Sequence, residues 1–263
     1  MASRVRLLVA YLGTPFAGWQ RQKNARTVQG ELEQALLRLY KRPVPTVGAG
    51  RTDAGVHAAG QVVHFDAPLA IPPSGVLAAL NAFLPPEVRV LEAAAVAPSF
   101  HARWQAVGKR YCYRLAWGPV PPPWEALRRL WIPTAPNLEL LSQVLALTTG
   151  AHDFRHFALA GHAGRGARGT VRTVYLAAIR RRPHGADLLF EGDGFLRGMV
   201  RRLVGAALEV ATGRENLDWF LALLSGIPPA KVAPTAPALG LTLERVFYRT
   251  RRRWDRMSSP GAC

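Results

Sequence analysis

An α+β protein made of two similarly patterned halves is what this 263-residue sequence predicts. Three observations carry that prediction. Apolar residues alternate at period two in some short runs. In others they recur at helical spacing. The runs follow the order strand-helix-strand-strand-helix-strand nearly twice over.

The first strand spans residues 4 to 12, where Val5, Leu7, Val9 and Tyr11 alternate. A helix over residues 27 to 40 opens on Thr27 as N-cap, with Val28, Leu32, Ala35, Leu36 and Leu39 at helical spacing until Pro43 ends the pattern. A short strand over 44 to 48, a strand "QVVHFDA" over 61 to 67, a helix over 74 to 83 and a closing strand "VRVLEAAAV" complete the first half. This is the split βαβ, or ferredoxin-like, order. The second half opens with a strand at 106 to 117 and a proline-rich link "GPVPPPWE", then a helix begins at Asn137. Strands at 171 to 181 and 187 to 192, a long helix at 195 to 211, a helix from Asn216 and a last strand at 241 to 248 follow. The expected division is 1–105, 106–248 and a basic tail 249–263, with the two mainly antiparallel halves facing each other across a basic central cleft. No residue-level repeat accompanies the repeated pattern.

Composition narrows the partners. The formal charge is +17, which repels itself in a compact chain and points to a polyanion, nucleic acid before an acidic membrane. Lys23, Lys41, Lys109 and Lys231 are the only lysines; the remaining basic residues are arginines, suited to phosphates and to base faces. Cys112 and Cys263 are too few for a disulfide framework or a four-cysteine zinc site. No apolar run reaches the ~18 residues that span a bilayer, and the N-terminal apolar stretch breaks at Gly13 and Pro15 with no cleavage pattern. The expectation is a soluble, cytoplasmic protein with no membrane partner.

Nucleotide and metal sites find little support. Gly48 and Gly50 lack the third glycine of a dinucleotide loop. His57, His64 and Asp66 fit no zinc or iron spacing and read as ordinary polar positions on a turn and a strand. His152 and Asp153 read as a helix-end or turn feature. RNA contact is better supported. In "KRYCYR", Lys109, Tyr111 and Tyr113 share one strand face, Arg110 and Arg114 the other; the tyrosines could stack bases or pack in a sheet core. The glycine-rich "AGHAGRGARGTVR" carries Arg165, Arg168 and Arg172, which suits either a backbone clamp or a plain surface loop. On the 195 to 211 helix, Leu196, Met199, Val200, Leu203, Val204 and Ala207 form the buried stripe, and Arg197 and Arg201 flank it. Finally, "GAGRTDAGVHAAGQ" sets Arg51 and Asp53 in a glycine-punctuated turn, where the carboxylate either serves the turn or serves a reaction.

Together these pieces resemble the tRNA pseudouridine synthase A family over nearly the whole chain. "YLGTPFAGWQRQ", "GAGRTDAGVHAAGQVVHF", "LNAFLPPEV", "FHARWQAVGKRYCYR", "TGAHDFRHF", "TVRTV", "FLRGMVRRLVGAALEV" and "APALGLTLERV" occur in the family's order. The G-R-T-D-x-G-V-H-A block is the most specific of them. Glu87-Val88 departs from the aspartate and isoleucine more usual in the family. The resemblance implies a cofactor-free, metal-free isomerase that converts uridines 38, 39 and 40 of the tRNA anticodon stem-loop to pseudouridine, and a homodimer. It makes Asp53 the catalytic aspartate, Tyr111 the residue packed on the target base, Arg201 the partner of the aspartate and Arg51 a participant in base flipping. Lys109, Arg110, Arg165 and Arg168 are the further expected substrate contacts. An arginine beside a carboxylate favours its ionised form as a site loses water. A non-catalytic RNA-binding protein with ferredoxin-like sheets is the alternative, though it requires neither the Arg51-Thr52-Asp53 turn nor Arg201.

Overall fold

The computed structural model describes residues 3–159, 169–227 and 231–248. It is a mixed α+β structure whose strands pair mostly antiparallel, with six α-helices among the described residues. The chain forms two compact units, one comprising the described residues up to Lys109 together with those from Leu243 onward, the other Arg110–Thr242.

In the first unit the elements are β1 (Ser3–Tyr11), α1 (Val28–Tyr40), β2 (Val47–Gly48), β3 (His57–Ala67), α2 (Pro73–Phe83) and β4 (Val88–Val96), joined by the end of β10 (Leu241–Tyr248). β1 lies between β4 and β3, antiparallel to both, and β2 pairs with the far side of β3. That is the strand order of a split βαβ unit. The alternation read in β1 is physical: Val5, Leu7, Val9 and Tyr11 are buried. Cross-strand register puts Arg4 opposite Asp66, and the two form a bidentate pair at 2.8 and 2.9 Å. Thr27 caps α1, its hydroxyl accepting from Gly30 N, and Lys41 closes the helix in the left-handed region at φ 58°. Val28, Leu32, Ala35 and Leu36 of α1 are buried with Val76 and Leu80 of α2.

Two boundaries differ from the sequence reading. β2 holds only Val47 and Gly48, since Pro43 and Pro45 offer no N–H to a ladder. β3 begins at His57, four residues earlier than expected, because the small residues Ala58, Ala59 and Gly60 carry no period-two signal. A β-carbon on Gly60 would stand 2.4 Å from the Glu244 carbonyl, so the glycine lets two backbones meet.

The second unit contains β5 (Ala106–Trp117), α3 (Pro123–Ala126), β6 (Leu130–Ile132), α4 (Leu138–Leu147), β7 (Gly150–Asp153), β8 (Val171–Arg182), β9 (Gly185–Gly192), α5 (Met199–Ala211) and α6 (Leu217–Leu224). Its strand order is β5-β9-β8-β7, with β6 parallel to β5. Asn137 and Asn216 cap α4 and α6 as their sequences imply. Leu141, Val144, Leu145, Leu188, Phe190, Leu203, Val204 and Phe220 fill its core.

Three readings need correction here, in whole or in part. The proline-rich link is not featureless: it holds α3 and is followed by β6. His152 and Asp153 lie on β7, paired with Arg172 and Val171 of β8, while Asp153 Oδ1 also accepts from Arg155 N at 3.1 Å where the chain turns after the strand, as the turn reading has it. α5 starts at Met199 and not at 195, because Gly198 sits at φ 72° and breaks helical geometry before it. Arg197 therefore precedes the helix. Eleven of the thirteen α5 residues are buried, so the helix is enclosed nearly all round instead of presenting one stripe. No helix among the described residues is long and apolar enough to cross a membrane. Arg165, Arg168, Cys263 and the 249–263 tail lie outside the described residues.

Candidate active site

The glycine-punctuated stretch forms the connection between β2 and β3, and the first unit pins it from several sides. Ala49 N donates to Val62 O at 2.8 Å, continuing the β2–β3 ladder one residue further. Gln61, fully buried, donates through Nε2 to Gly50 O at 2.8 Å. The Tyr11 hydroxyl and Thr52 Oγ1 are 2.9 Å apart, and Trp19 N donates to Thr52 O at 3.1 Å. Val56 N donates to Asp53 O at 3.1 Å, Gly55 N to Phe16 O at 3.3 Å, and Gly13 N to His57 Nδ1 at 3.0 Å.

Close approach explains why the supporting loop "GTPFAGW" is built on glycines. A β-carbon on Gly13 would stand 2.1 Å from Val56 O. Gly18, at φ +99°, would bring one to 2.7 Å from Thr52 O. Both glycines let the loop lie against the backbone of the turn. The outcome is a division of labour within Arg51-Thr52-Asp53. Thr52 is buried and anchors the turn, Arg51 is exposed, and Asp53 is partly exposed. Tyr11, Thr52 and Gln61 are the site residues that sequence reading missed. Their signal is faint, because each sits in a motif whose conspicuous members are charged.

Lys109 joins this turn. A β-carbon on Gly50 would stand 2.6 Å from Lys109 Nζ, so the ammonium rests where that side chain would otherwise be. Burial, with the charge of Arg103 second, pushes Lys109 down to about 8. Holding an ammonium there rather than in water costs about 3 kcal/mol.

The other expected residues lie in the second unit. Tyr111 on β5 is buried and meets Phe195 edge-on, ring centroids 5.2 Å apart at 83°. Tyr113 is a core residue: its hydroxyl donates to Pro237 O at 2.8 Å and its ring packs on Gly240. Of the two readings of that tyrosine pair, Tyr113 takes the core one. Burial holds its hydroxyl above the usual phenol range, and the Arg201 charge opposes the rise. Arg110 Nε donates to Glu191 Oε1 at 2.6 Å. Arg201, in the first turn of α5, donates through Nε to Ala236 O at 2.8 Å, and Ala236 N donates back to Arg201 O at 3.1 Å. Thus Arg51, Asp53 and Lys109 belong to the first unit, and Arg110, Tyr111 and Arg201 to the second.

The histidines set aside as metal ligands are otherwise engaged. His57 Nδ1 accepts from Gly13 N and His64 Nδ1 accepts from Ala102 N, while Asp66 binds Arg4. Among the described residues no group of three His, Cys, Asp or Glu side chains is placed to hold a metal ion.

The family described as tRNA pseudouridine synthase matches residues 7–105 and 145–249, both the turn and α5 included. The chain belongs to the tRNA pseudouridine synthase family. It is 42% identical to a tRNA pseudouridine synthase A 1 of Desulfotalea psychrophila over 92% of this chain and 98% of that one. A tRNA pseudouridine synthase A of Latilactobacillus sakei is 41% identical over 95% of this chain and all of its own length. One of Lacticaseibacillus casei is 42% identical over 92% and 98%. Among solved structures, a chain from a Cbf5-Nop10-Gar1 complex is similar at TM-score 0.31 and 12% identity, over 78% of this chain and 45% of that chain.

Proposed function

We propose that this protein is an isomerase converting uridine to pseudouridine in tRNA, at positions 38, 39 and 40 of the anticodon stem-loop. It acts in the cytoplasm as a homodimer, without a cofactor. The observation that carries the reading is the turn of residues 48 to 57, in which Thr52 is clamped and Asp53 is offered beside an exposed Arg51. Membership of the tRNA pseudouridine synthase family supports the reaction class.

The reaction breaks the N1–C1′ bond, turns the uracil and joins C5 to C1′. A proton leaves C5 and N1 gains one, so the product is an isomer and nothing is oxidised or lost. A carboxylate serves such a sequence in two places. It attacks the ribose or takes a proton from it as the first bond breaks, and it then removes the proton from C5. Asp53 takes that role in this proposal. Arg201 keeps the carboxylate charged as water leaves, Tyr111 packs against the base, and Arg51 assists flipping. Lys109, Arg110, Arg165 and Arg168 hold the RNA backbone.

Tritium release from tRNA labelled with 5-[³H]uridine tests the assignment, because release demands bond-making at C5, which a binding protein does not perform. Asp53→Asn keeps the local backbone bonds of a turn residue but removes the nucleophile and base. The expected result is tRNA affinity near wild type with turnover reduced on the order of 10³–10⁶. A variant retaining a tenth of wild-type turnover refutes the catalytic role, and one that fails only by losing tRNA makes Asp53 a binding residue.

A further inference from the structure

Residues 97 to 105, between β4 and β5, make a loop that is rigidly held yet leaves a tryptophan in solvent. Ala102 is buried, its N–H donating to His64 Nδ1 at 3.1 Å and its carbonyl accepting from the Tyr248 hydroxyl at 2.6 Å. Arg4 Nη1 donates to Phe100 O at 2.8 Å. Gln105 closes the loop, with N donating to His101 O at 3.1 Å and Nε2 to Ser99 O at 3.0 Å. His101 Nδ1 accepts from both Arg103 N and Trp104 N, at 3.2 and 3.1 Å. Those two bonds leave the ring proton on Nε2, and burial with the Arg4 charge lowers the His101 pKa.

Trp104 lies flat on that imidazole. The ring centroids are 3.8 Å apart and the planes 9° apart, while Trp104 is 81% exposed. One indole face is used and the residue is otherwise in water. An exposed tryptophan on a mobile loop would mean little. This one is fixed by backbone bonds to β1, β3 and β10, at no gain in its own burial. The charges around it are cationic. Arg103, adjacent in the chain, is exposed, and its charge acts on Lys109. Asp66, which the register sets opposite Arg4, is taken by that arginine in a bidentate pair. A flat aromatic face beside an exposed arginine suits a nucleobase with its phosphates, since every base has a π-face and each phosphate a charge.

We propose that the outer face of Trp104 stacks an unpaired nucleobase of the RNA substrate, distinct from the reacting uridine, with Arg103 and Lys109 taking the flanking phosphates. The proposal rests on the reading of the substrate as tRNA. It adds a platform that neither the charged turn nor the tyrosine strand supplies.

The test is filter binding of tRNA to the full-length protein and to its Trp104→Ala, Trp104→Phe and Arg103→Ala variants, across a salt series, with thermal unfolding to confirm folding. Losing a base–aromatic stack should raise Kd for Trp104→Ala roughly five- to hundredfold, with Trp104→Phe recovering most of it. The slope of log affinity against log salt should stay at the wild-type value in Trp104→Ala and flatten by about 0.9 in Arg103→Ala. A Kd within twofold of wild type in folded Trp104→Ala overturns the proposal. So does a weakened Kd accompanied by a smaller species in sedimentation, which would make the face a contact between two copies of the chain. Tritium release by the wild type, measured in the same preparation, separates the two ideas. Its absence would defeat the isomerase reading while the ratio of Kd values still judges the platform.

Discussion

Lys109 offers a charge that can be switched within the range where proteins stay folded. Its ammonium rests on Gly50 and is pushed down to about 8 by burial and by Arg103. Above that pH the charge is lost, and below it the charge is kept. At pH 7 charged and neutral forms stand at about ten to one, and at pH 9 at about one to ten, whereas a lysine near 10.4 would remain charged throughout. If the ammonium neutralises one phosphate, it contributes about 0.9 to the salt slope of tRNA binding. The wild-type slope should therefore shrink between pH 7 and pH 9 by up to about 0.7, the change in charged fraction multiplied by that contribution, the bound phosphate lessening it by favouring the ammonium. Lys109→Arg supplies the control, because a guanidinium stays charged across the range. Its slope should not shrink, while Lys109→Met should show the smaller slope at both values. Filter binding of one tRNA preparation to all three proteins cancels any titration of the RNA itself. Parallel slopes for wild type and Lys109→Arg from pH 7 to pH 9 would refute the reasoning, either because the lysine meets no phosphate or because its site does not depress it.

Other consequences can be checked on the same protein. Gly13→Ala forces a β-carbon to 2.1 Å from the Val56 carbonyl, a backbone atom with little room to yield. Overpacking of that kind should cost about 1–3 kcal/mol in urea unfolding, with turnover falling further than affinity because the Asp53 turn moves; wild-type stability would show that the loop relaxes freely. Tyr111→Phe keeps the ring that meets Phe195 edge-on, so Tyr111→Ala should lose far more turnover than Tyr111→Phe. Equal, severe losses in tritium release would assign the chemistry to the hydroxyl. Burial, with the Arg4 charge second, pushes His64 down to about 4, and its Nδ1 accepts from Ala102 N. The fold thus favours the neutral imidazole, a contribution complete above the unfolded value near 6.5 and lost as pH falls toward 4. The urea midpoint should drop more steeply over that window in wild type than in His64→Asn, which keeps an acceptor without the titration; superimposable curves would count against it.

Local signals were legible where one element's own residues decide its geometry. Thr27, Asn137 and Asn216 cap their helices through their own side chains, and the period-two burial of β1 follows from alternating residues in a single strand. The chemically conspicuous part of the site, Arg51 and Asp53 in a glycine-rich turn, was legible for the same reason. What failed were elements whose existence depends on a distant partner. β7 is four residues that become a strand because β8 lies beside them, and β6 is three residues aligned by β5. The start of α5 was misread because a left-handed glycine is a conformation rather than a letter, and its all-round burial because neighbours cover the side that the pattern left polar.

The sequence by itself determined the alternation, the caps, the charge of the chain and the Arg51-Thr52-Asp53 motif, since each is a property of neighbouring residues. Only the tertiary structure decided that Thr52 is the anchor held by Tyr11, that Tyr113 belongs to the core, that Lys109 surrenders much of its basicity against Gly50, and that Trp104 stands in solvent on His101. Burial, desolvation and stacking depend on which residues meet across long separations in the chain. A linear pattern does not encode them until the backbone has closed those distances.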